Sequence, residues 1–234
     1  MLIPGVVNFV AMELKVIAKF RSPFTSKFGI PKQSGLAPEL RGEIVFEPQW
    51  ASRDALRGLE GFDYIWLIWG FTANRHAAAS PVVRPPVLGG NERVGVFATR
   101  SPFRPNPLGL SSVKIERIDL DTSHGPVIHV LGADLMDGTE IYDIKPYVSI
   151  YDSHPDVRNG FLRQNPTVLL QVEIPPEIAA QFDPAQVESL RQALSLDPRP
   201  HYQSDAARVY GMPFAGRDVK FRVAGDVLTV VGLE

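Results

Sequence analysis

The sequence predicts a mainly β protein: a sandwich or barrel over about residues 12–150, followed by a smaller α+β unit. Three observations carry this. Candidate strands recur at short intervals through the first 150 residues, with one short helical segment among them. The most apolar run, residues 62–71, is aromatic and β-branched and too short to cross a membrane as a helix, so it reads as a central strand buried on both faces. The strongest helix start, Asp183-Pro184-Ala185-Gln186, comes late and is followed by a strand–turn–strand pattern.

Taken in order, residues 1–11 are apolar but lack a basic leading segment and are broken by Pro4-Gly5, so they read as a short N-terminal extension and not as a signal peptide or membrane span. Residues 13–20 alternate apolar and polar as a first strand. Residues 24–39 form an unusually long loop, with Pro31 and Pro38 as breakers and Ser34-Gly35 as a turn. Residues 42–46 read as a second strand, and residues 51–60 as a helix capped by Ser52 that buries Ala55, Leu56 and Leu59. After the aromatic strand and a loop over residues 72–90, further strands are expected at 94–98, 112–118, 126–131 and 145–150. Residues 151–165 are polar and turn-rich, the best linker. Beyond them come a strand at 168–174, the helix capped by Asp183 and Gln186, and strands 219–223 and 227–231 joined by a three-residue turn, Ala224-Gly225-Asp226.

Composition narrows the function classes. Hydrophobic content of 44% and charged content of 21% describe an ordinary globular chain, and 24 Lys+Arg against 26 Asp+Glu give a net charge of −2. Any nucleic-acid site must therefore be a local basic patch. The absence of cysteine excludes disulfides and thiolate metal sites and fits a reducing compartment. Five histidines (76, 124, 129, 154, 201) lack ligand spacing, so no metal site is expected, and His129 reads as a satisfied strand residue. Phosphate-loop, dinucleotide-fold, nucleophile-elbow and zinc-protease motifs are all missing.

One stretch does look like a site. Between Thr99 and Pro107 the chain packs two arginines, three prolines and an asparagine into nine residues. Each proline fixes its own φ and pushes its predecessor towards extended geometry, so Arg104 and Asn106 are firmly aimed. A guanidinium is a planar fork of donors, which suits Arg100 and Arg104 to a carboxylate or phosphate. Asp134 and Asp137, beside Gly138, read either as an Asx-type turn or as carboxylates for ribose hydroxyls or an amine.

The segment Ala98 to Gly109 resembles the TsaA-like (YaeB-like) family of tRNA N6-adenosine methyltransferases. So do Arg21-Ser22-Pro23-Phe24, residues 31–36, 58–62, 137–139 and 143–147, in the same order; residues 197–202 resemble the C-terminal domain of bacterial members. The resemblance implies a β-barrel methyltransferase outside the Rossmann class over residues 12–155 and a small α+β C-terminal domain over residues 166–234. It further implies a cytoplasmic homodimer that uses S-adenosyl-L-methionine to methylate N6 of threonylcarbamoyladenosine at position 37, in the tRNA anticodon loop. Carried over by position, the cofactor pocket is Pro31, Lys32, Gln33, Phe71, Thr72, Arg100, Leu110, Asp134, Leu135, Met136 and Asp137. Thr72 stands where members often have His. Asn106 is the first candidate for an acceptor at the reacting N6–H, and Tyr147 the second catalytic candidate, as a stacking or orienting group. Arg84, Arg93, Arg104, Lys145, Arg199 and Tyr202 are candidates for the tRNA surface. The competing class is a noncatalytic RNA- or nucleotide-binding barrel, which keeps the basic loop without the pocket of residues 31–33 and 134–137.

Overall fold

The computed structural model describes residues 13–74, 79–164, 168–199 and 205–234. The N-terminal extension lies outside them. Eight strands occupy the first part of the chain: β1 (Ala18–Arg21), β2 (Arg41–Phe46), β3 (Tyr64–Gly70), β4 (Val82–Val83), β5 (Val94–Gly95), β6 (Leu108–Thr122), β7 (Gly125–Leu131) and β8 (Glu140–Pro146). Six of them close into a barrel in the order β1-β2-β7-β6-β3-β8, every neighbouring pair antiparallel. Closure satisfies the backbone groups that an open sheet leaves along its edges. Alternation along the strands fills the interior, with Phe20, Ile44, Ile65, Leu67, Val113, Ile128, Val130 and Ile141 buried together.

Several elements differ from the sequence reading. The ladder of the first strand starts at Ala18, residues 13–17 preceding it as irregular chain. The helix expected over residues 51–60 is a single turn, α1 (Arg53–Leu56), followed by a 3-10 turn over Leu59–Gly61. Only Leu56 of α1 is buried and the Ser52 side chain makes no capping bond, too little to hold a longer helix. In β3 only one face is fully buried, through Ile65, Leu67 and Trp69; Trp66 and Ile68 are half-buried. Residues 94–98 are not a buried strand. Val94–Gly95 pairs with Val82–Val83 in a small separate ribbon, residues 96–98 turn, and Phe97 is 79% exposed. Prolines 81, 85 and 86 remove the donors that a longer ladder would need. The strand expected at 145–150 ends at Pro146, and Ser149–Asp152 forms a helical turn, α2.

The C-terminal part is a four-stranded sheet in the order β10-β11-β12-β9: β9 (Gln171–Glu173), β10 (Tyr210–Phe214), β11 (Arg217–Ala224) and β12 (Val227–Leu233). β9 runs parallel to β12 and the other pairs are antiparallel. Pro213 sits in edge strand β10, where a missing N–H is tolerated. Ala224 pairs with Val227, so the hairpin turn has two residues, Gly225 and Asp226, not three. A short helix, α3 (Pro176–Ala179), precedes α4 (Pro184–Ser195), which packs Leu190, Ala193 and Leu194 on the sheet. The core under α4 also takes Phe24, Ala37 and Leu40 from the long loop after β1. That loop therefore lies between the barrel and the C-terminal sheet.

The capping box of α4 forms as expected. The Asp183 carboxylate accepts from the Gln186 N–H at 2.9 Å, and the Gln186 side chain accepts from the Asp183 N–H at 3.2 Å. Replacing Asp183 by Ala should cost about 1 kcal/mol, which for a chain of this size lowers Tm by about 2–4 °C in calorimetry.

Candidate active site

At one end of the barrel lies a cavity of about 600 Å³ walled by three loops. The loop after β1 contributes Lys27 and Ile30 to Gln33; the loop after β3 contributes Phe71 to Asn74; the proline-rich loop into β6 contributes Thr99, Arg100, Arg104 and Asn106. Trp69, Gly109, Leu110, Asp134, Met136 and Thr139 line the rest.

Each wall is fixed by identifiable bonds. In the proline-rich loop the Thr99 hydroxyl donates to the Val96 carbonyl at 2.8 Å and accepts from the Ser101 N–H at 3.2 Å, while the Ser101 hydroxyl accepts from the Phe103 N–H at 3.2 Å. Such side-chain turns preset a loop before any ligand arrives. The Phe71 N–H donates to the Pro107 carbonyl at 2.9 Å, joining two walls. The Arg100 guanidinium donates to Gln33 Oε1 at 2.5 Å, and the Lys27 ammonium donates to the Asn74 side-chain carbonyl, so both other walls are bridged to the loop after β1.

Inside, a hydrogen-bond chain leads to a carboxylate. The Trp69 indole N–H donates to the Ser111 hydroxyl at 3.0 Å, and that hydroxyl donates to Asp134 Oδ1 at 2.5 Å. Gly109 faces Trp69 across β3 and β6, and a Cβ there would come within 2.2 Å of the indole ring. Only glycine lets the indole lie flat enough to reach Ser111. Burial pushes the Asp134 carboxyl above its usual range, opposed by the Ser111 hydrogen bond, by backbone N–H groups and by the charge of Arg100. Among the described lining residues the cationic side chains are Lys27, Lys32, Arg100 and Arg104, and the one carboxyl is that of Asp134. The cavity therefore combines four cationic side chains with a single buried carboxyl group.

Of the eleven residues expected to hold the cofactor, Pro31, Lys32, Gln33, Phe71, Thr72, Arg100, Leu110, Asp134 and Met136 line the cavity. Leu135 points away into the barrel core at 1% exposure. Asp137 accepts from the Ser22 N–H at 3.1 Å and lies 3.7 Å from Arg21, and its own N–H donates to the Phe24 carbonyl. Its side chain thus anchors the start of the loop after β1. Asn106 and Arg104 face the same cavity, Arg104 donating to the Thr99 carbonyl at 3.1 Å. Tyr147 lines a second, shallower cavity of about 440 Å³ on the barrel's outer face with Tyr64, Trp66, Ser112 and Asp152; Arg100 and Leu110 belong to both cavities. The Tyr147 and Trp66 rings lie 5.5 Å apart, and the Trp66 indole donates to Asp152 at 3.1 Å.

The tRNA candidates are spread more widely. Arg84 and Arg93 are exposed on the segment around the β4–β5 ribbon, and Lys145 pairs with Asp143 at 2.9 Å. The Arg199 guanidinium is gripped by both oxygens of Asp197 at 2.9 Å, with 13% of its side chain exposed. Tyr202 lies outside the described residues. His129 is held at 2.9 Å from Asp119 and 3.2 Å from Glu43, as a strand residue. Sequence reasoning missed Lys27, Trp69 and Ser111. The signal for Ser111 was a lone hydroxyl at an inward position of a strand, between Gly109 and Val113, where alternation predicts an apolar side chain.

A closed antiparallel barrel with a cavity between its loops, and no parallel nucleotide-binding sheet among the described residues, defines a barrel of non-Rossmann class. The chain belongs to the tRNA-methyltransferase O family: the family's N-terminal domain matches residues 19–153 and its C-terminal domain residues 167–234. A relative from Escherichia coli K12, the tRNA (adenine(37)-N6)-methyltransferase, is 35% identical over 96% of this chain and 98% of its own length. The protein of the same name from Eikenella corrodens is 47% identical over 69% of this chain and 91% of its own. A crystal structure of TrmO from Pseudomonas aeruginosa superposes with a TM-score of 0.77 at 31% identity, covering 97% of this chain and 99% of that one.

Because folding raises the Asp134 pKa, the native state binds the proton more tightly than the unfolded chain, and stability falls as pH rises through the native value. The penalty is absent below the unfolded value and grows as pH rises from there towards the native one. Asp134→Asn should therefore raise Tm at pH 7. The gain should shrink as pH falls towards 3.8 in a series of melting curves.

Proposed function

We propose that this chain transfers a methyl group from S-adenosylmethionine to N6 of threonylcarbamoyladenosine at position 37 of tRNA. The observation that carries the reading is the convergence, in one cavity at the barrel end, of residues 31–33, 71–72, 100, 110, 134 and 136 from five separate segments. Family membership and the names of the Escherichia coli and Eikenella corrodens relatives supply the reaction class. A relative from Pseudomonas aeruginosa, 37% identical over 87% of this chain and 89% of its own length, is named a putative S-adenosylmethionine-dependent methyltransferase.

The residues present fit such a cofactor. It is a cationic, zwitterionic nucleoside, and the cavity offers apolar surface at Trp69, Phe71 and Leu110, a carboxylate at Asp134 and guanidinium and ammonium groups at Arg100 and Lys32. When bound, the cofactor supplies an electrophilic methyl carbon, and the protein's part is to position the nucleophile and stabilise the charge it develops. Asp134 balances positive charge at the base. Arg100, already aligned by Gln33, meets a carboxylate. Asn106, exposed at the cavity rim between Pro105 and Pro107, offers its amide oxygen as acceptor to the N6–H, drawing the nitrogen lone pair out of the purine, and the proton released on methylation passes to solvent at this open rim. Tyr147 and Trp66 present ring faces beside the cavity for a splayed-out base.

The anticodon loop would lie across Arg84, Arg93, Arg104 and Lys145. Arg199, committed to Asp197, would support the C-terminal unit instead. We assign residues 12–155 to a cofactor-binding unit and residues 166–234 to a smaller companion. A homodimer is part of the reading, supported by the exposure of Ile150, Tyr151, Leu162, Val168 and Leu169 between the two units, an apolar surface that a second copy would cover. A cytoplasmic location fits both the substrate and the absence of cysteine.

Labelled methyl should pass to tRNA carrying the threonylcarbamoyl group and not to tRNA lacking it; labelling of both alike, or of neither, would overturn the substrate assignment. Asn106→Ala should lower kcat by about 10²-fold while leaving the Kd for S-adenosylhomocysteine within about twofold. An unchanged kcat would remove Asn106 from the reaction.

A further inference from the structure

The loop that supplies Lys27 and Ile30 to Gln33 to the cavity is held from its other side by the C-terminal sheet and α4. The Phe24 ring is fully buried and meets Phe214 edge-on at 5.4 Å. The Pro23 carbonyl accepts from the Ala215 N–H at 2.8 Å. Glu39 is gripped twice by α4: its N–H donates to Gln192 Oε1 at 2.9 Å, and its carbonyl accepts from the Ser189 hydroxyl, itself 3% exposed, at 2.9 Å. Between these anchors Gly29, at φ +90°, passes so close to Met212 that a Cβ would come within 2.1 Å of its sulfur.

On the barrel side the same loop is held at Ser22, Phe24 and Gly35, the last through its N–H to the Gly132 carbonyl at 2.8 Å. Residues 27–33, which carry the lining side chains, span the gap between these clamps. Met212 stands directly behind them, with Gly29 against its sulfur and Pro31 buried two residues on. A long segment without secondary structure holds one shape only where its surroundings over-determine it. Here Met212, Phe214, Ala215, Ser189 and Gln192 of the C-terminal unit are among those surroundings.

We propose that Met212, Ser189 and Gln192 are positioning residues for the cofactor: the C-terminal unit is the outer wall of the site and sets how closely residues 31–33 approach Asp134 and Arg100. This rests on the reading that the cavity binds S-adenosylmethionine. None of the three lines the cavity, so they act through the backbone of the loop. Truncating them lets the loop spread over more conformations, and ligand binding must then restore order before contacts form.

The test is isothermal titration of the full-length protein with S-adenosylhomocysteine, run at a temperature where circular dichroism shows each variant folded. Met212→Ala and Ser189→Ala should weaken binding about tenfold, raise KM for S-adenosylmethionine by a similar factor and leave kcat at saturation within twofold. Hydrogen exchange should rise at residues 24–40. The control is Leu228→Ala, fully buried in the same core but two strands away from β10; it should lower Tm while keeping wild-type affinity. Unchanged affinity in both loop-facing variants would overturn the proposal, as would an equal loss in Leu228→Ala. A wild type that gives no heat with the nucleoside sinks the cofactor reading and the affinity claim with it. Normal wild-type binding with indifferent variants sinks only the positioning role.

Discussion

The architecture depends on a short seam. The barrel closes where β1 meets β8, with Ala18 opposite Ile141 and Lys19 opposite Glu140. Two further bonds extend the contact, from the Ile17 N–H to the Ile141 carbonyl and from the Phe20 N–H to the Thr139 carbonyl, each at 2.9 Å. This seam brings the chain leaving β1 beside the chain entering β8, segments more than a hundred residues apart. The cavity forms between them. Asp134 is brought to the same loop by the neighbouring pair of strands: Leu131, at the end of β7, stands opposite Arg41 of β2, and the Gly35 N–H donates to the Gly132 carbonyl at 2.8 Å.

Around that seam the polar groups follow a consistent logic. Asp134 is expensive to keep charged in a buried position, and the Ser111–Trp69 chain with Arg100 offsets part of the cost without removing it. A residual cost of this kind is typical of groups retained for a ligand and not for folding. Two of the wall cations are ordered by neutral hydrogen-bond partners, Gln33 for Arg100 and Asn74 for Lys27. Arg199 shows the contrasting case: a carboxylate two residues away takes its whole fork.

Much of this was legible in the sequence, for physical reasons that differ by element. Alternation placed β2 and β7 almost to the residue because each has one fully buried face. The capping box announced α4 because its two hydrogen bonds are local to residues 183–186. What failed was mostly decided at a distance. Residues 94–98 look like a buried strand, yet among the described residues their partner is a proline-flanked dipeptide, Val82–Val83. Residues 51–60 look amphipathic, yet only Leu56 is fully buried there. Within the site, the proline spacing foretold a stiff loop, and the family resemblance brought the separate segments together. Ser111 and Lys27 matter only through contacts to Asp134 and Asn74 that no local pattern encodes. Tyr147, expected as a stacking or orienting group, stands just past the end of β8 in the neighbouring cavity, which shares Arg100 and Leu110 with the deeper one.

Arg100 and Leu110 line both cavities, so the two share part of their wall. A molecule in the deeper cavity and one in the shallower cavity would both meet the same guanidinium. The Gln33 bond that aligns Arg100 for one of them also fixes where the other meets it. Any preference that one occupant imposes on the pose of that arginine is therefore felt by the other, and linkage requires the effect to be equal in both directions. A second occupant of these neighbouring cavities would thus meet an arginine whose pose the first had already set.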